Sequence, residues 1–354
     1  MDALKSPHVF TKNLLKWNEL ENVRTMPWKG EKDPYLVWLS EVMLQQTRVE
    51  QGLPYYLKFK KHYPTVKHLA DAPEDEVLRH WQGLGYYSRA RNLHYTAKHI
   101  AYGLKGKFPT TFLEIKKLKG VGDYTAAAIA SFVYNEPVAV VDGNVIRVLS
   151  RIFGIETPFD TTAGKKEFSA VAQKLIHTGQ PGVYNQAIMD FGSKVCTPKK
   201  PNCADCVFQK KCFAQQNNLV GALPYRAKRT TIKSRYFYYL FIHNATQLLI
   251  QKRIKKDIWQ NLYELPLIET EKKLSSKQLA VAVSDMMGVN SNKYAVSDEI
   301  VQLLSHRKIH FRFIHLPQSG KQLKPMPGTV VISKKDISTF GFPKTVAEFL
   351  SKIN

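Results

Sequence analysis

The sequence predicts two domains: a mostly α-helical one over residues 1–217 and an α+β one over 233–354, joined by a linker at 218–232. Three observations carry this prediction. Up to about residue 217 there is no clear strand alternation, and the chain reads as helices punctuated by glycine and proline. Beyond residue 232 come short β-branched and aromatic runs, RYFYYLFIHN, QLLIQKRI, KIHFRFIHLP and TVVIS, with helical patterns at KQLAVAVSDMM and KTVAEFLSKI. Between them GALPYRAKRT has little apolar periodicity and several charges, which suits an exposed connector. A chain of 354 residues is long enough for two such cores.

Charge narrows the class of partner. Lysine and arginine number 52 against 29 aspartates and glutamates, a net charge of +23. The excess is spread along the chain, with 19 basic and 9 acidic residues after position 231. Such a balance points to nucleic acid or another polyanion, the alternative being a merely solvated basic surface. No uncharged apolar run reaches 18 residues, which excludes a membrane-spanning helix. The start, MDALKSPHVFTKNLLKW, carries charge where a secretory signal needs an apolar block, so a cytoplasmic protein is expected.

Taken in order, four elements carry chemistry. Glu41 lies in YLVWLSEVML, a helical run apolar nearly all round. Burial there raises a carboxyl pKa and keeps a proton on it near neutral pH, unless an arginine pairs with it structurally. Next, Leu118-Lys119-Gly120-Val121-Gly122-Asp123-Tyr124-Thr125 sets two glycines between a helical segment and the long apolar run YTAAAIASFVYN. Glycines there let backbone N–H groups approach a phosphate, and the following helix N-terminus favours the anion. A helix-ending glycine explains the turn equally well. Third, Asp142 opens the helix after PVAVV in PVAVVDGNVIRVLSRIF. The position is that of an N-cap, and the same N–H groups would keep the carboxylate ionised beside a cation. One carboxyl kept protonated and one kept ionised are what cleavage of an acetal-like C–N or C–O bond needs.

The fourth element holds every cysteine of the chain: Cys196, Cys203, Cys206 and Cys212, spaced C-x6-C-x2-C-x5-C. In a reducing compartment such clustering indicates a metal centre. Structural zinc sites usually come as two short knuckles, and only Cys203 and Cys206 make one. An iron–sulfur centre is the better candidate, with zinc and unligated thiols as alternatives.

With these residues in place, the sequence resembles the MutY family of adenine DNA glycosylases, within the helix-hairpin-helix superfamily that includes endonuclease III. The likeness covers nearly the whole chain. Its marks are Met26-Pro27-Trp28, SEVMLQQT at 40–47, QGLGYYSRARNL at 82–93, LKGVGDYTAAAIAS at 118–131, VDGNVIRVLSR at 141–151, NQAIMDFGS at 185–193 and the cysteine array. The resemblance implies a helix-hairpin-helix glycosylase domain, with the hairpin motif at about 112–132 and an iron–sulfur loop at 196–212 holding a 4Fe-4S cluster. It implies removal of adenine mispaired with 8-oxoguanine or guanine in double-stranded DNA, by a monomer associated with a bacterial nucleoid. Glu41 matches the acid that protonates adenine N7, and Asp142 the carboxylate that stabilises or transiently bonds the sugar cation. Tyr124 and Asn144 match residues that support this step.

Arg24, Trp28, Leu44, Gln186 and Met189 match the pocket for the flipped base. Gln46, Thr47, Leu84 and Tyr86 match the wedge that fills the stack and touches the lesion strand. Gly120 and Gly122 match the phosphate-binding hairpin. Endonuclease III-like lyases carry a Schiff-base lysine where this chain has Tyr124, so a monofunctional enzyme is expected. A bifunctional lyase and a non-catalytic iron–sulfur DNA-binding protein are the rival readings. The C-terminal part resembles the family's nudix-like module, with IWQNLYELP at 258–266 but no R-E-x-x-E-E box, which implies recognition without nucleotide hydrolysis. Ser305 and His306 fit the reading of 8-oxoguanine, and Leu304 replaces the usual phenylalanine before them.

Overall fold

The computed structural model describes residues 7–227, 232–288, 294–304, 307–320 and 322–353. Its chain divides into two units, Met1–Asp71 with Asn92–Arg229, and Ala72–Arg91 with Thr230–Asn354. The first unit is helical. It contains α1 (Pro7–Leu20), α2 (Pro34–Leu44), α3 (Val49–His62) and α4 (Val66–Asp71). Two further helices, α5 (Glu74–His80) and the first turn of α6 (Ser88–Lys98), fall in the second unit. The helical unit resumes with the rest of α6, α7 (Phe112–Ile115), α8 (Asp123–Tyr134), α9 (Gly143–Phe153), α10 (Thr162–Leu175), α11 (Pro181–Lys194) and α12 (Phe213–Gln216).

Local chemistry sets the ends of these helices. Asp33 accepts from Tyr35 N at 2.9 Å with Pro34 in the first turn, which starts α2. Asp142 accepts from Val145 N at 2.8 Å and starts α9, which ends at Gly154 in the left-handed region. A side chain at Gly154 would meet the Phe213 ring at 2.7 Å, so only glycine fits there. Phe10, Leu14 and Trp17 of α1 are buried with Val148 and Leu149 of α9 and with Ala187 and Phe191 of α11, in one core. Burying each such side chain contributes roughly 1.5–3 kcal/mol.

The second unit is built on an eight-stranded sheet. Strands β1 (Lys233–His243) and β7 (Arg307–Pro317) pair in parallel along their full length, Lys233 opposite Arg307 and His243 opposite Pro317. Strand β2 (Gln247–Lys252) joins β1 to β3 (Tyr263–Glu264), and β4 (Leu267–Thr270) also pairs β1. β5 (Ala295–Val296) and β6 (Ile300–Leu304) pair β7, and β8 (Thr329–Ser333) pairs β2. Alternation along β1 sends Tyr238, Leu240 and Ile242 to one face, against Leu279 and Val283 of α13 (Ser276–Met287). Phe241 and Phe313 face the other way, against Phe349 of α14 (Lys344–Leu350). The sheet is therefore sandwiched between two helices, as the α+β expectation requires.

The structure departs from the sequence expectation at the linker. Residues 218–227 are no free connector: Leu223 is buried and its carbonyl accepts from Arg151 Nε at 3.2 Å, while Phe159 N donates to Tyr225 O. Residues 72–91, placed by sequence in the helical domain, group with the C-terminal strands by their contacts.

Candidate functional site

The apolar surround of α2 buries Glu41 to 5% exposure. Burial raises its pKa to about 7, a rise that the nearby Asp142 charge adds to and a hydrogen bond with Tyr124 opposes. Its Oε2 has no protein partner. No arginine pairs with Glu41 among the described salt bridges, so the structural pairing weighed from sequence is not what holds it. Glu41 also lines a cavity with Trp28, Lys29, Val37, Ser40 and Gln186.

Tyr124 is the second residue of α8, placed by the glycine turn before it. Its hydroxyl donates to Met189 Sδ at 3.4 Å, and burial beside Glu41 and Asp142 raises its pKa well above the ordinary phenol value. Asp142 is held as an N-cap and more. Oδ1 accepts from Val145 N at 2.8 Å and Oδ2 from Asn144 Nδ2 at 2.7 Å. Desolvation raises its pKa, while these bonds and the Arg147 charge favour the anion. The sequence-predicted quartet of Glu41, Tyr124, Asp142 and Asn144 therefore comes together from three helices and one turn.

Arg147 is the residue that sequence reading missed here. Its Nη2 donates to Asn144 Oδ1 at 2.8 Å and to Gly192 O at 2.6 Å, and its Nε to Cys196 O at 2.7 Å. The spacing Asn144-x-x-Arg147, one helical turn, was the available signal. Asp190 was also missed. Fully buried, it accepts from Arg24 at 2.7 Å, Gln186 at 3.1 Å, Asn22 at 3.0 Å and Lys29 at 3.3 Å. Of the predicted base pocket, Trp28 and Gln186 line the cavity, and Trp28 packs edge-on against Tyr56 at 5.2 Å. Arg24 is tied to Asp190, Met189 touches Tyr124, and Leu44 is half-buried beside Gly52.

The hairpin follows the sequence reading. Gly120 is at φ +81°, and a side chain there would meet Asn92 Cβ at 2.7 Å. Gly122 caps α8 with open space where a side chain would be, beside an ion pair between Lys116 and Asp123. The predicted wedge residues divide. Gln46 and Tyr86 are exposed and both lie in the left-handed region, at φ +54° and +49°. Thr47 is half-buried, and Leu84 is only 3% exposed, so it is a core residue rather than a surface one. Ser305 and His306 lie outside the described residues. Arg307, next to them, donates to Asp257 Oδ1 at 3.1 Å, and Asp257 also pairs with Arg235 and Arg253.

All four cysteines are free thiols lining one small cavity under α9. Arg151 donates to Cys196 Sγ at 3.5 Å, and Phe208 N to Cys206 Sγ at 3.4 Å. Burial and the neighbouring thiols push Cys206 up to about 11. Among the described residues no three histidine, cysteine or acidic side chains are already closed around one ion position.

The fold and site define a DNA glycosylase of the helix-hairpin-helix class. Residues 39–176 match the HhH-GPD superfamily of base excision DNA repair proteins, and residues 237–352 match the NUDIX domain. The chain belongs to the adenine DNA glycosylase family. It is 30% identical to the adenine DNA glycosylase of Buchnera aphidicola subsp. Acyrthosiphon pisum over 97% of both chains. It is 40% identical to the human adenine DNA glycosylase over 58% of this chain, which is 39% of the human one. Among solved structures, a thermostable thymine-DNA glycosylase superposes with a TM-score of 0.57 at 28% identity, over 61% of this chain and all of that one. A trapped endonuclease III–DNA covalent intermediate shares the fold, with a TM-score of 0.53 at 19% identity over 61% of this chain and 98% of that one.

Proposed function

We propose that this chain is a monofunctional adenine DNA glycosylase acting on adenine opposite 8-oxoguanine or guanine in duplex DNA. One observation supports the reading most: a buried glutamic acid, half protonated near pH 7 and with a free oxygen, lines a cavity beside a hydrogen-bonded aspartate. Trp28 and Gln186 line the space for the flipped base, and Gln186 is tied to Arg24 through their shared partner Asp190.

In this mechanism Glu41 donates its proton to adenine N7, which makes the base a neutral leaving group. The N9–C1′ bond breaks, its electron pair leaves with the base, and positive charge builds on the sugar. Asp142, its oxygens fixed by Val145 N–H and Asn144, stabilises that cation. Glu41, now a carboxylate, takes the proton of the water that adds to C1′. Tyr124 stands where a lyase would need a lysine, so no Schiff base forms and the backbone stays whole.

The cysteine set suits a 4Fe-4S cluster: four thiols on one cavity, with Arg151 and Phe208 N–H donors that favour thiolates. Cys196, Cys203, Cys206 and Cys212 would hold it. Holding it would tie the 196–212 loop to itself, next to the Cys196 carbonyl that receives Arg147. Double-stranded DNA is the partner that charge and hairpin support, with Gln46, Thr47 and Tyr86 on the lesion side and Ser305 and His306 as readers of the oxidised guanine.

Single-turnover incubation with a duplex holding one 8-oxoguanine:adenine pair tests the reading. Strand breaks at the adenine only after hot alkali are expected. Breaks without alkali would replace it with a lyase, and none at all with a binding protein. Alanines at Leu304, Ser305 and His306 should narrow the preference for 8-oxoguanine over guanine opposite adenine.

A further inference from the structure

The exposed tyrosine of the predicted wedge is mounted on an unusual support. Tyr86 sits at φ +49°, after Gly83 at +98° and Gly85 at +81°. An aromatic residue holds such a conformation only where its surroundings over-determine it. Here the Arg89 guanidinium lies over the Tyr86 ring at 5.4 Å and over the Trp81 ring at 5.2 Å. Arg89 Nη2 and Trp81 Nε1 both donate to Gly85 O, at 3.1 and 2.9 Å. Trp81 is fully buried, so Tyr86 is the outer layer of a three-part stack with a rigid base.

That base belongs to the C-terminal unit. Asn261 donates to Glu74 at 2.5 Å, Lys252 to Asp75 Oδ1 at 2.6 Å and Tyr263 to Asp75 Oδ2 at 3.3 Å. Arg91 donates to Gln260 O at 2.9 Å and Phe342 N to Gln82 at 2.9 Å. A side chain at Gly341 would sit 3.3 Å from the Arg79 backbone, so the two stretches touch main chain to main chain. The 259–261 turn that meets Glu74 and Arg91 is itself left-handed at Trp259 and Asn261.

We propose that Tyr86 is positioned by the C-terminal unit, through the seam of Glu74, Asp75, Gln82 and Arg91 with Lys252, Gln260, Asn261 and Phe342. The inference rests on the reading of Tyr86 as the residue that enters the base stack. It goes beyond that reading by making the nudix-like module part of the insertion machinery, in addition to its reading of the opposite base. Lys252, Asn261 and Asp75 are positioning residues that act through Tyr86.

The test uses the full chain on a guanine:adenine duplex, where 8-oxoguanine reading plays no part. Asp75→Lys sets two like charges together and should slow single-turnover adenine release about fivefold, the scale of one reversed surface ion pair. Adding Lys252→Asp should restore the rate to within about twofold of the parent, by the same pairing. In a Tyr86→Ala background Asp75→Lys should cost nothing further. Amide exchange over residues 81–91 should quicken in Asp75→Lys and recover in the swap, whatever the activity. A full additional loss in the Tyr86→Ala background, or unchanged exchange over 81–91, overturns the proposal. A Tyr86→Ala enzyme as fast as the parent overturns the insertion reading and this inference with it. A slow Tyr86→Ala enzyme with an undisturbed Asp75→Lys rate overturns this inference alone.

Discussion

Glu41 carries two consequences that differ in sign. As a proton donor with a pKa of about 7, it loses its active form as pH rises. The single-turnover rate should therefore fall about tenfold per unit well above pH 7, and Glu41→Gln should bind mispaired DNA while releasing no adenine. For stability, the folded state keeps a proton that the unfolded chain gives up above its ordinary value of 4.5. The stabilising contribution is full below that value and is lost as pH rises from there to about 7, some 3 kcal/mol in all. Glu41→Gln escapes the loss, so its melting temperature relative to the parent should be higher at pH 8 than at pH 5. Equal differences at the two pH values would mean that Glu41 is not held protonated. Glu41 and Asp142 were legible in the sequence because each sits in a local pattern, an all-apolar helix and an N-cap. Asp190 and Arg89 were not, because what they hold lies far away in sequence or reveals itself only through ring geometry.

At the scale of elements, the hairpin and α9 are the parts whose geometry the chemistry uses. Gly120→Ala forces a side chain against Asn92 at a left-handed position, which should cost about 1–3 kcal/mol of stability. It should also weaken duplex binding, measured by titration, more than it slows adenine release from bound DNA. Arg147→Met should do the reverse. It leaves Asn144 Oδ1 and the Gly192 and Cys196 carbonyls without their donor, and a buried polar group left unsatisfied costs about 1–3 kcal/mol. The rate on bound duplex should drop, because Asn144 orients Asp142. Helix limits and the turn were readable from caps and glycines. The burial of Leu84 was not, because a leucine beside an exposed Tyr86 looks the same in sequence whether it faces core or DNA.

For the whole molecule, the net charge of +23 gives a measurable expectation. The logarithm of duplex affinity should fall with the logarithm of salt by about 0.9 for each phosphate contacted. A flat response would remove the phosphate contacts from the account. Among the described residues no helix is long and apolar enough to cross a membrane. The two-part architecture was visible as a change from helical to strand periodicity. The membership of residues 72–91 was not, because α5 is an ordinary helix by composition and only its partners place it with the strands.

That membership has a bearing on how the protein is made. Residues 72–91 leave the ribosome well before their partners, which begin at Thr230 and run to the end of the chain. At about 5–20 residues per second the wait lasts on the order of ten seconds or more. Throughout it Asp75, Gln82 and Arg91 lack the partners they hold in the finished protein: Lys252, the Phe342 N–H and the Gln260 carbonyl. A fragment ending before β1 would remain in that state for good.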